Sequence, residues 1–296
     1  MPIELQQFRK NLTYEVKAPL TIITTDLNDL DALSQLAEIR KNKHGKKAIY
    51  YFVGAAVLGV LSLIVSSLSI LSLLLKLGCI GLGIAWVYSL AMMSKFSRLN
   101  ILNYRYKVTK QILDMLVRDL DEISDVYLKL SFQNDEINEN KINTIPHPYR
   151  SGWKIDIYQN QWLNIQGIFL DKTRFKLTTM GLTKKQYGWK RGRSGKSKYK
   201  SKVKSVGLDI NLSLTYPQRR YGAVKILKNE IRDAIKLPQV AVIRNLKITD
   251  KAMHLIVRIS PNQSEIQEEI YQTIVAMFLS LYQILNLGKM LSKDKV

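Results

Sequence analysis

The chain has 296 residues and a formal net charge of +21, with 45 Lys and Arg against 24 Asp and Glu. A charge of this sign and size favours anionic partners, namely lipid headgroups, nucleic acid or acidic proteins. The single cysteine, Cys79, excludes an intrachain disulfide, and the polar N-terminal residues are not typical of a cleaved secretory signal.

Residues 1–47 are predicted to form an N-terminal segment followed by a pre-membrane helix. A short extended piece is expected at Ile22–Ile23. The helix is expected to begin at Thr25 or Asp26, because either side chain can accept hydrogen bonds from the first free amides. It should pass through the basic cluster Arg40–Lys47 and continue into the next segment.

An apolar run organises the chain: Ala48–Ser94 contains 47 residues and one charged side chain, Lys76. A bilayer core is crossed by about 20 helical residues, so the run predicts two spans joined by a turn at Ser66–Ser72. Residues 48–94 are therefore predicted to form a transmembrane helical hairpin. Basic residues flank both ends of the run, which predicts an integral membrane protein with both termini in the cytoplasm.

Small residues recur along each predicted span at helical spacing, which lets helix backbones approach closely in lipid. They predict a packing seam, formed in the first span by Ala55, Gly59 and Ser62 and in the second by Gly78, Gly81 and Ala85. The alternative is chance placement of common small residues. Homo-oligomerisation through the hairpin, or through the stalk described next, stays open.

Residues 95–132 are predicted to form a post-membrane stalk helix. Apolar side chains alternate three and four positions apart, as in a heptad stripe: Leu113, Leu116, Leu120, Ile123, Tyr127 and Leu130. The stripe either packs within the chain or mediates self-association. Residues 133–152, rich in Asn and Pro, are predicted to be a linker.

Residues 153–296 are predicted to form a basic cytoplasmic domain with 27 Lys and Arg against 10 Asp and Glu from Ser151 onward. The apolar period changes from 3.6 to 2 at Trp153, which predicts antiparallel strands. The expected elements are two strands around a Gln159-Asn160 turn, a third strand at Thr173–Leu182, a helix at Pro217–Lys236, and two strands at Val240–Leu246 and Met253–Ile259. Ser264 and Gln267 form a capping-box pair for a last helix, whose residues Ile270–Leu287 include no charge. The last helix is predicted to be a core helix although it approaches membrane length. The fold class is thus an α+β membrane protein, with a transmembrane hairpin, a stalk and an antiparallel domain.

A basic segment, Lys184–Lys204, carries ten Lys and Arg in 21 residues and no acid. The lysines from Lys196 to Lys204 fall on even-numbered positions, as do the apolar residues from Val206 to Leu214. Because side chains alternate across a strand, a single strand here is predicted to carry lysines on one face in its first half and apolar residues on the same face in its second half. This predicts a β-ribbon arm tipped by Gly188–Gly195; a disordered or solvated basic loop is the alternative.

The predicted anion-binding residues are the ten basic residues of the arm and three from the following helix: Lys184, Lys185, Lys190, Arg191, Arg193, Lys196, Lys198, Lys200, Lys202, Lys204, Lys225, Lys228 and Arg232. Three aromatic residues among these cations are predicted to stack on bases if the partner is nucleic acid: Tyr187, Trp189 and Tyr199.

No catalytic, metal or cofactor site is predicted. The Gly195-Lys196-Ser197 sequence matches the end of a phosphate-binding loop, but Lys190 stands where that motif requires glycine. The three histidines are not spaced as metal ligands. The sequence predicts a non-enzymatic, membrane-anchored binding or scaffolding protein. The alternative is a membrane effector that senses a ligand and permeabilises the bilayer through assembled hairpins.

Overall fold

The structure is a computed structural model that describes residues 11–64, 69–97, 104–121, 124–192, 194–221, 224 and 234–293. The chain divides into two compact units. One unit is Leu27–Asn103, and the other combines Met1–Asp26 with Tyr104–Val296. Helices and an antiparallel sheet together give the α+β class that the sequence predicts.

The described elements are, in chain order, β1 (Thr13–Ala18), α1 (Leu20–Ile64), α2 (Ser69–Ser97), α3 (Tyr104–Leu116), β2 (Val126–Ser131), β3 (Lys141–Pro146), β4 (Lys154–Ile168), β5 (Arg174–Arg191), β6 (Ser197–Thr215), α4 (Gln218–Tyr221), β7 (Ala241–Ile248), β8 (Ala252–Ile259) and α5 (Gln267–Lys293). A 3₁₀ turn, Asn138–Asn140, precedes β3.

In the unit Leu27–Asn103, α1 and α2 contact each other through small and aromatic residues. The rings of Phe52 and Trp86 lie 5.6 Å apart. The Cys79 thiol donates to the Ala55 carbonyl oxygen at 3.4 Å. A methyl group at Gly78 would lie 3.2 Å from the Leu58 side chain, so the glycine permits that close approach.

The six small residues predicted to form the seam do not all lie at contacts. Gly59 faces the Cys79 thiol, and the Ser62 hydroxyl donates to the Gly59 carbonyl of its own helix at 2.8 Å. A side chain at Gly81 would meet no described atom within 4 Å, and Ala85 is half-buried. Of the predicted turn at Ser66–Ser72, residues 66–68 lie outside the described residues, whereas residues 69–72 are helical and belong to α2.

Among the residues that the structure describes, three helices are long and apolar enough to cross a membrane: α1, residues 73–97 of α2, and residues 267–291 of α5. They differ in burial, because 11% and 6% of the apolar windows of α1 and α2 are buried but 44% of that of α5. The buried side of α5 includes Ile270, Ile274, Met277, Leu281 and Leu285.

The other unit is built on one eight-stranded antiparallel sheet with the order β1-β2-β4-β5-β6-β8-β7, and β3 pairs with β4. The helices α3 and α5 cover the face that carries the apolar core. On this face Phe278 of α5 lies 6.2 Å from the ring of Phe169 and 5.9 Å from that of Phe175. Core strand residues include Leu128, Leu163, Ile165, Leu177 and Ile210, all fully buried.

The predicted stalk helix is wrong over its second half. The helix α3 ends at Leu116, and Val126–Ser131 is a strand in which Val126, Leu128 and Leu130 alternate into the core. Spacings of three and four along one stretch fitted a helix, but pairing with β1 and β4 decides the structure. Tertiary pairing here overrides the local pattern.

The N-terminal prediction also needs correction. Thr13–Ala18 forms the edge strand β1, and α1 begins at Leu20, not at Thr25 or Asp26. The carbonyl oxygen of Pro19 accepts hydrogen bonds from the amides of Ile22 and Ile23, so both isoleucines are helical. A proline fits this first turn because its missing amide proton has no partner there.

The predicted linker 133–152 is structured, because it contains the 3₁₀ turn and β3. A buried side chain, Arg105, anchors its start: the guanidinium donates to the Gln133 carbonyl at 2.9 Å and to the Asp135 carboxylate at 2.7 Å. Asp135 also accepts from Asn160 at 2.8 Å. These bonds attach the segment to the sheet.

Two predicted breaks in the sheet are absent or displaced. The strand β4 runs through the expected Gln159-Asn160 turn with a one-residue irregularity at Trp162, and β5 continues beyond Leu182 to Arg191. Of the predicted helix Pro217–Lys236, α4 accounts for Gln218–Tyr221, and most of the remainder lies outside the described residues.

Candidate anion-binding site

The basic segment lies on the outer ends of β5 and β6, where the two strands pair from Arg174↔Thr215 to Arg191↔Ser197. The strand β8 pairs with β6 only from Leu208 to Thr215, so β6 has a free edge beyond that point. We call residues 183–191 and 197–205 the ribbon. Its closing loop includes Gly195 at φ +74°, a left-handed conformation that suits glycine. Gly188 lies within the strand and not at the tip.

A β-bulge separates the ribbon from the rest of β6. Leu182 pairs with Gly207 while Thr183 pairs with Ser205, so Val206 is an extra residue on β6. Gly207 has φ +128°, and a Cβ there would lie 2.5 Å from the carbonyl oxygen of Ile259. Only glycine fits this position without a shift of the backbone.

The bulge reverses the face on which the lysines lie, which corrects the prediction that they continue the apolar face of β6. Paired residues share a face and successive residues alternate. On the β8 side of the bulge, Leu208 pairs with Gly181 and faces the core. On the ribbon side of the bulge, Lys204 pairs with Lys184, and both lie on the opposite face. This lysine face comprises Lys184, Lys190, Lys198, Lys200, Lys202 and Lys204.

The predicted stacking residues lie together on the other face of the ribbon, which we call the aromatic face. The ring of Tyr199 lies 6.2 Å from that of Tyr187 and 5.7 Å from that of Trp189. Trp189 is 66% exposed and Tyr199 55%. The aromatics are therefore separated from the six lysines and do not alternate with them.

The remaining predicted cations have other environments. Lys185 lies on the aromatic face and pairs with Glu136 at 2.8 Å, and this hydrogen bond raises the pKa of the Lys185 ammonium. The Arg191 guanidinium donates to the carbonyl of Gly195, and Lys196 lies in the closing loop. The four others lie outside the described residues: Arg193, Lys225, Lys228 and Arg232.

A pocket on the lysine face was missed by the sequence analysis. Its volume is about 380 Å³, and its wall is formed by Arg150, Trp153, Gln186, Lys190, Lys200, Ser201, Lys202 and Lys204. Arg150 and Trp153 belong to the segment around the predicted linker boundary. The turns Pro146-His147-Pro148 and Ser151-Gly152 signalled only a loop, because the partner strands of that loop are remote in sequence.

Trp153 forms the fixed wall of this pocket. Its indole packs flat on the backbone at Gly188, where a Cβ would lie 2.6 Å from the ring, and its Nε1 donates to the Trp189 carbonyl at 3.1 Å. The guanidinium carbon of Arg150 lies 4.7 Å from the centre of the ring. A cation held over an aromatic face in this way is pre-positioned.

An ionic cluster braces the base of the ribbon on the aromatic side. The buried carboxylate of Asp156 pairs with Lys141 at 2.9 Å and accepts hydrogen bonds from Thr144 at 2.7 Å and Tyr187 at 3.2 Å. Burial alone would raise the pKa of Asp156, but the Thr144 hydroxyl and the Lys141 ammonium outweigh it, so the pKa is lowered. The cluster joins β3, β4 and β5.

No protein-family model, curated protein or solved structure matches this chain. Its function must therefore be inferred from the chemistry of its own residues. Among the described residues, no group of three His, Cys, Asp or Glu side chains is close enough to hold a metal ion.

One hydroxyl and imidazole pair lies on the sheet face opposite α5. The Ser213 hydroxyl is 2.8 Å from His254 Nδ1, and Lys247 is the cross-strand neighbour of His254. This hydrogen bond links the paired strands β6 and β8.

Proposed function

We propose that this chain is a membrane-anchored, non-enzymatic binding protein whose basic domain engages an anionic surface or partner through the lysine face of the ribbon. The observation that carries the proposal is the common face of six lysines on two paired strands. The pocket wall among them contains no acidic residue. Such a surface attracts anions strongly because the electrostatic potentials of its like charges add on one face.

The membrane anchor in this proposal is the pair α1 and α2, inserted as a helical hairpin. Support comes from their length, 45 and 29 residues, and from the exposure of large apolar side chains along both, including Val57, Leu63, Ile80 and Ile84. Exposed apolar surface of this extent is stable in lipid and unfavourable in water. Basic residues flank both ends, which favours cytoplasmic termini.

The helix α5 belongs to the basic domain in this proposal. It is apolar enough to span a bilayer, but its buried side already packs on the sheet through Phe278. Removing it would expose the ring cluster around Phe169 and Phe175 to water. Burial of each such side chain contributes roughly 1.5 to 3 kcal/mol to folding.

Anionic lipid is the simplest partner, because the same chain carries membrane-compatible helices. Each basic residue near an anionic bilayer contributes about 1 kcal/mol, so the six lysines together contribute on the order of 6 kcal/mol. Nucleic acid and acidic proteins are the other candidates. The separation of the aromatics from the lysines weakens the nucleic-acid proposal, because stacking and phosphate contacts would require different faces.

The test uses the full chain in nanodiscs of uncharged lipid and measures its binding to vesicles that contain phosphatidylserine. In one variant, Lys198, Lys200, Lys202 and Lys204 are changed to Ser. A control variant loses the same charge at four exposed lysines elsewhere: Lys17, Lys107, Lys176 and Lys251. Loss of about 4 kcal/mol predicts roughly 1,000-fold weaker binding for the ribbon variant.

The control variant is expected to bind within about threefold of wild type if the ribbon is the binding element, since distant charges are screened over about 10 Å. Equal losses in both variants would contradict a localised site. Absence of binding to vesicles by wild-type protein, together with binding to oligonucleotides, would replace lipid by nucleic acid as the partner.

A further inference from the structure

The pocket on the lysine face concentrates charge more than the rest of the ribbon. Five cationic side chains line a volume of about 380 Å³: Arg150, Lys190, Lys200, Lys202 and Lys204. Like charges that line one pocket repel each other, and Gln186 adds a neutral polar group beside them. A compact anion of high charge would relieve that repulsion, whereas a singly charged one would relieve little of it.

Contacts cover the Trp153 indole, and the residue is only 9% exposed. The ring lies against the backbone at Gly188, and the Arg150 guanidinium carbon lies 4.7 Å from the ring centre. A nucleobase therefore finds no free aromatic face in the pocket. The wall instead offers a guanidinium, which can bind two phosphate oxygens at once, beside several ammonium groups.

We propose that this pocket binds a compact ligand with two or more phosphate groups. The proposal rests on the proposed function and specifies the anion that the ribbon recognises. In it, Arg150 makes a bidentate contact to one phosphate while Lys200 and Lys202 bind the next. The pocket volume falls within the 300 to 1,000 Å³ range usual for small-molecule sites, so it fits a headgroup-sized ligand and not an extended strand.

Two sources present this chemistry: a lipid headgroup that carries several phosphates, and a soluble polyphosphate. The experiment has an arm for each, with full-length protein in nanodiscs of uncharged lipid. Inorganic triphosphate is titrated by calorimetry as the soluble probe. Vesicles with a bisphosphorylated inositol lipid are compared with phosphatidylserine vesicles of equal surface charge as the lipid probe.

Two double variants on the same face separate a pocket from a diffuse surface. Lys200→Ser with Lys202→Ser removes two cations from the wall, whereas Lys184→Ser with Lys198→Ser removes two that lie on the lysine face outside it. A third variant, Arg150→Lys, keeps the charge and loses the planar fork. Each change is at a side chain whose loss opens no core cavity, and circular dichroism of each variant checks the fold.

The expected result is binding of triphosphate that weakens by about 20-fold or more in the wall variant, about tenfold in Arg150→Lys, and by less than about threefold in the variant outside the wall. Preference for the bisphosphorylated vesicles at equal charge identifies a headgroup as the source. Tight triphosphate binding without that preference identifies a soluble ligand.

Equal weakening in the two double variants overturns the pocket while leaving the binding of anions by the lysine face intact. The pocket is also overturned if wild-type protein binds anionic vesicles without headgroup preference and does not bind triphosphate. If wild type binds neither triphosphate nor any anionic vesicle, the pocket is wrong and so is anionic lipid as the partner in the proposed function. An oligonucleotide that binds more tightly than triphosphate also overturns the pocket.

Discussion

The two parts of β6 on either side of Gly207 share a strand conformation and pairing with β5, but they differ in burial. In the inner part, alternate side chains are almost fully buried: Leu208, Ile210, Leu212 and Leu214. In the outer part, Ser197–Ser205, every residue is exposed. Both parts pair with β5, but only the inner one has β8 beside it. Strand pairing determines which residues share a face. Whether that face is buried in the core or exposed to solvent depends on the elements that pack beside it.

The largest expected difference between the two parts is in stability. Leu212→Ala removes a fully buried side chain, and such changes cost 2 to 5 kcal/mol, so we expect a loss of about 4 kcal/mol, or roughly 10 °C in the unfolding midpoint. Lys202→Ser in the outer part is exposed and should change stability by no more than about 0.5 kcal/mol. Thermal unfolding in detergent measures both. Comparable losses would mean that the outer part is buried.

The second prediction concerns the bulge that separates the two parts. Gly207→Ala places a methyl group against the Ile259 carbonyl at a positive φ, so we expect a loss of about 3 kcal/mol. Gly195→Ala is the matched control, since its φ is also positive but no described atom lies within 4 Å of the added carbon. It should cost about 1 kcal/mol, the strain alone. Chemical denaturation of the two variants gives the comparison.

Local patterns predicted much of the strand content but not the faces of the ribbon. Alternation along Lys184–Lys204 and from Val206 to Leu214 indicated a strand, and a strand is present. The lysine face was predicted wrongly because one extra residue in β6 shifts the parity, and a bulge is defined by its partner strand. The only local sign of a bulge was Gly207 next to Val206, and a glycine within a strand is not specific for a bulge.

Contacts between remote residues account for the other differences. The strand β1 pairs with β2 across more than a hundred residues, so Thr13–Ala18 had no local reason to be a strand. The position of Trp153, and of Arg150 over its ring, requires Gly188 of β5 to lie against the indole. The sequence contains all three residues, but only the register of β4 with β5 brings them together.

The third prediction tests how the ribbon is held at its base. Because the pKa of Asp156 is lowered from its ordinary value of 3.8, its carboxylate stabilises the fold above that value, and the contribution is lost as pH falls through the lower folded pKa. We expect the wild-type unfolding midpoint to fall by a few degrees more than that of Asp156→Asn between about pH 6 and pH 3. If the unfolding midpoints of the two proteins fall equally with pH, the stabilising role of the Asp156 and Lys141 pair is contradicted.

The smallest expected effect concerns the aromatic face, and it separates the two faces of the ribbon most directly. Trp189→Ser with Tyr199→Ser removes two exposed rings on the face opposite the lysines, so binding to anionic vesicles should weaken by no more than about twofold. Tryptophan and tyrosine are favoured at the membrane interface, so insertion of this face into the bilayer would produce a much larger loss. The same vesicle assay on Lys200→Ser with Lys202→Ser supplies the reference, because that variant should lose binding strongly. A ratio near one between the two variants would mean that the ribbon binds through both faces, and the separation of lysines from aromatics would then have no functional consequence.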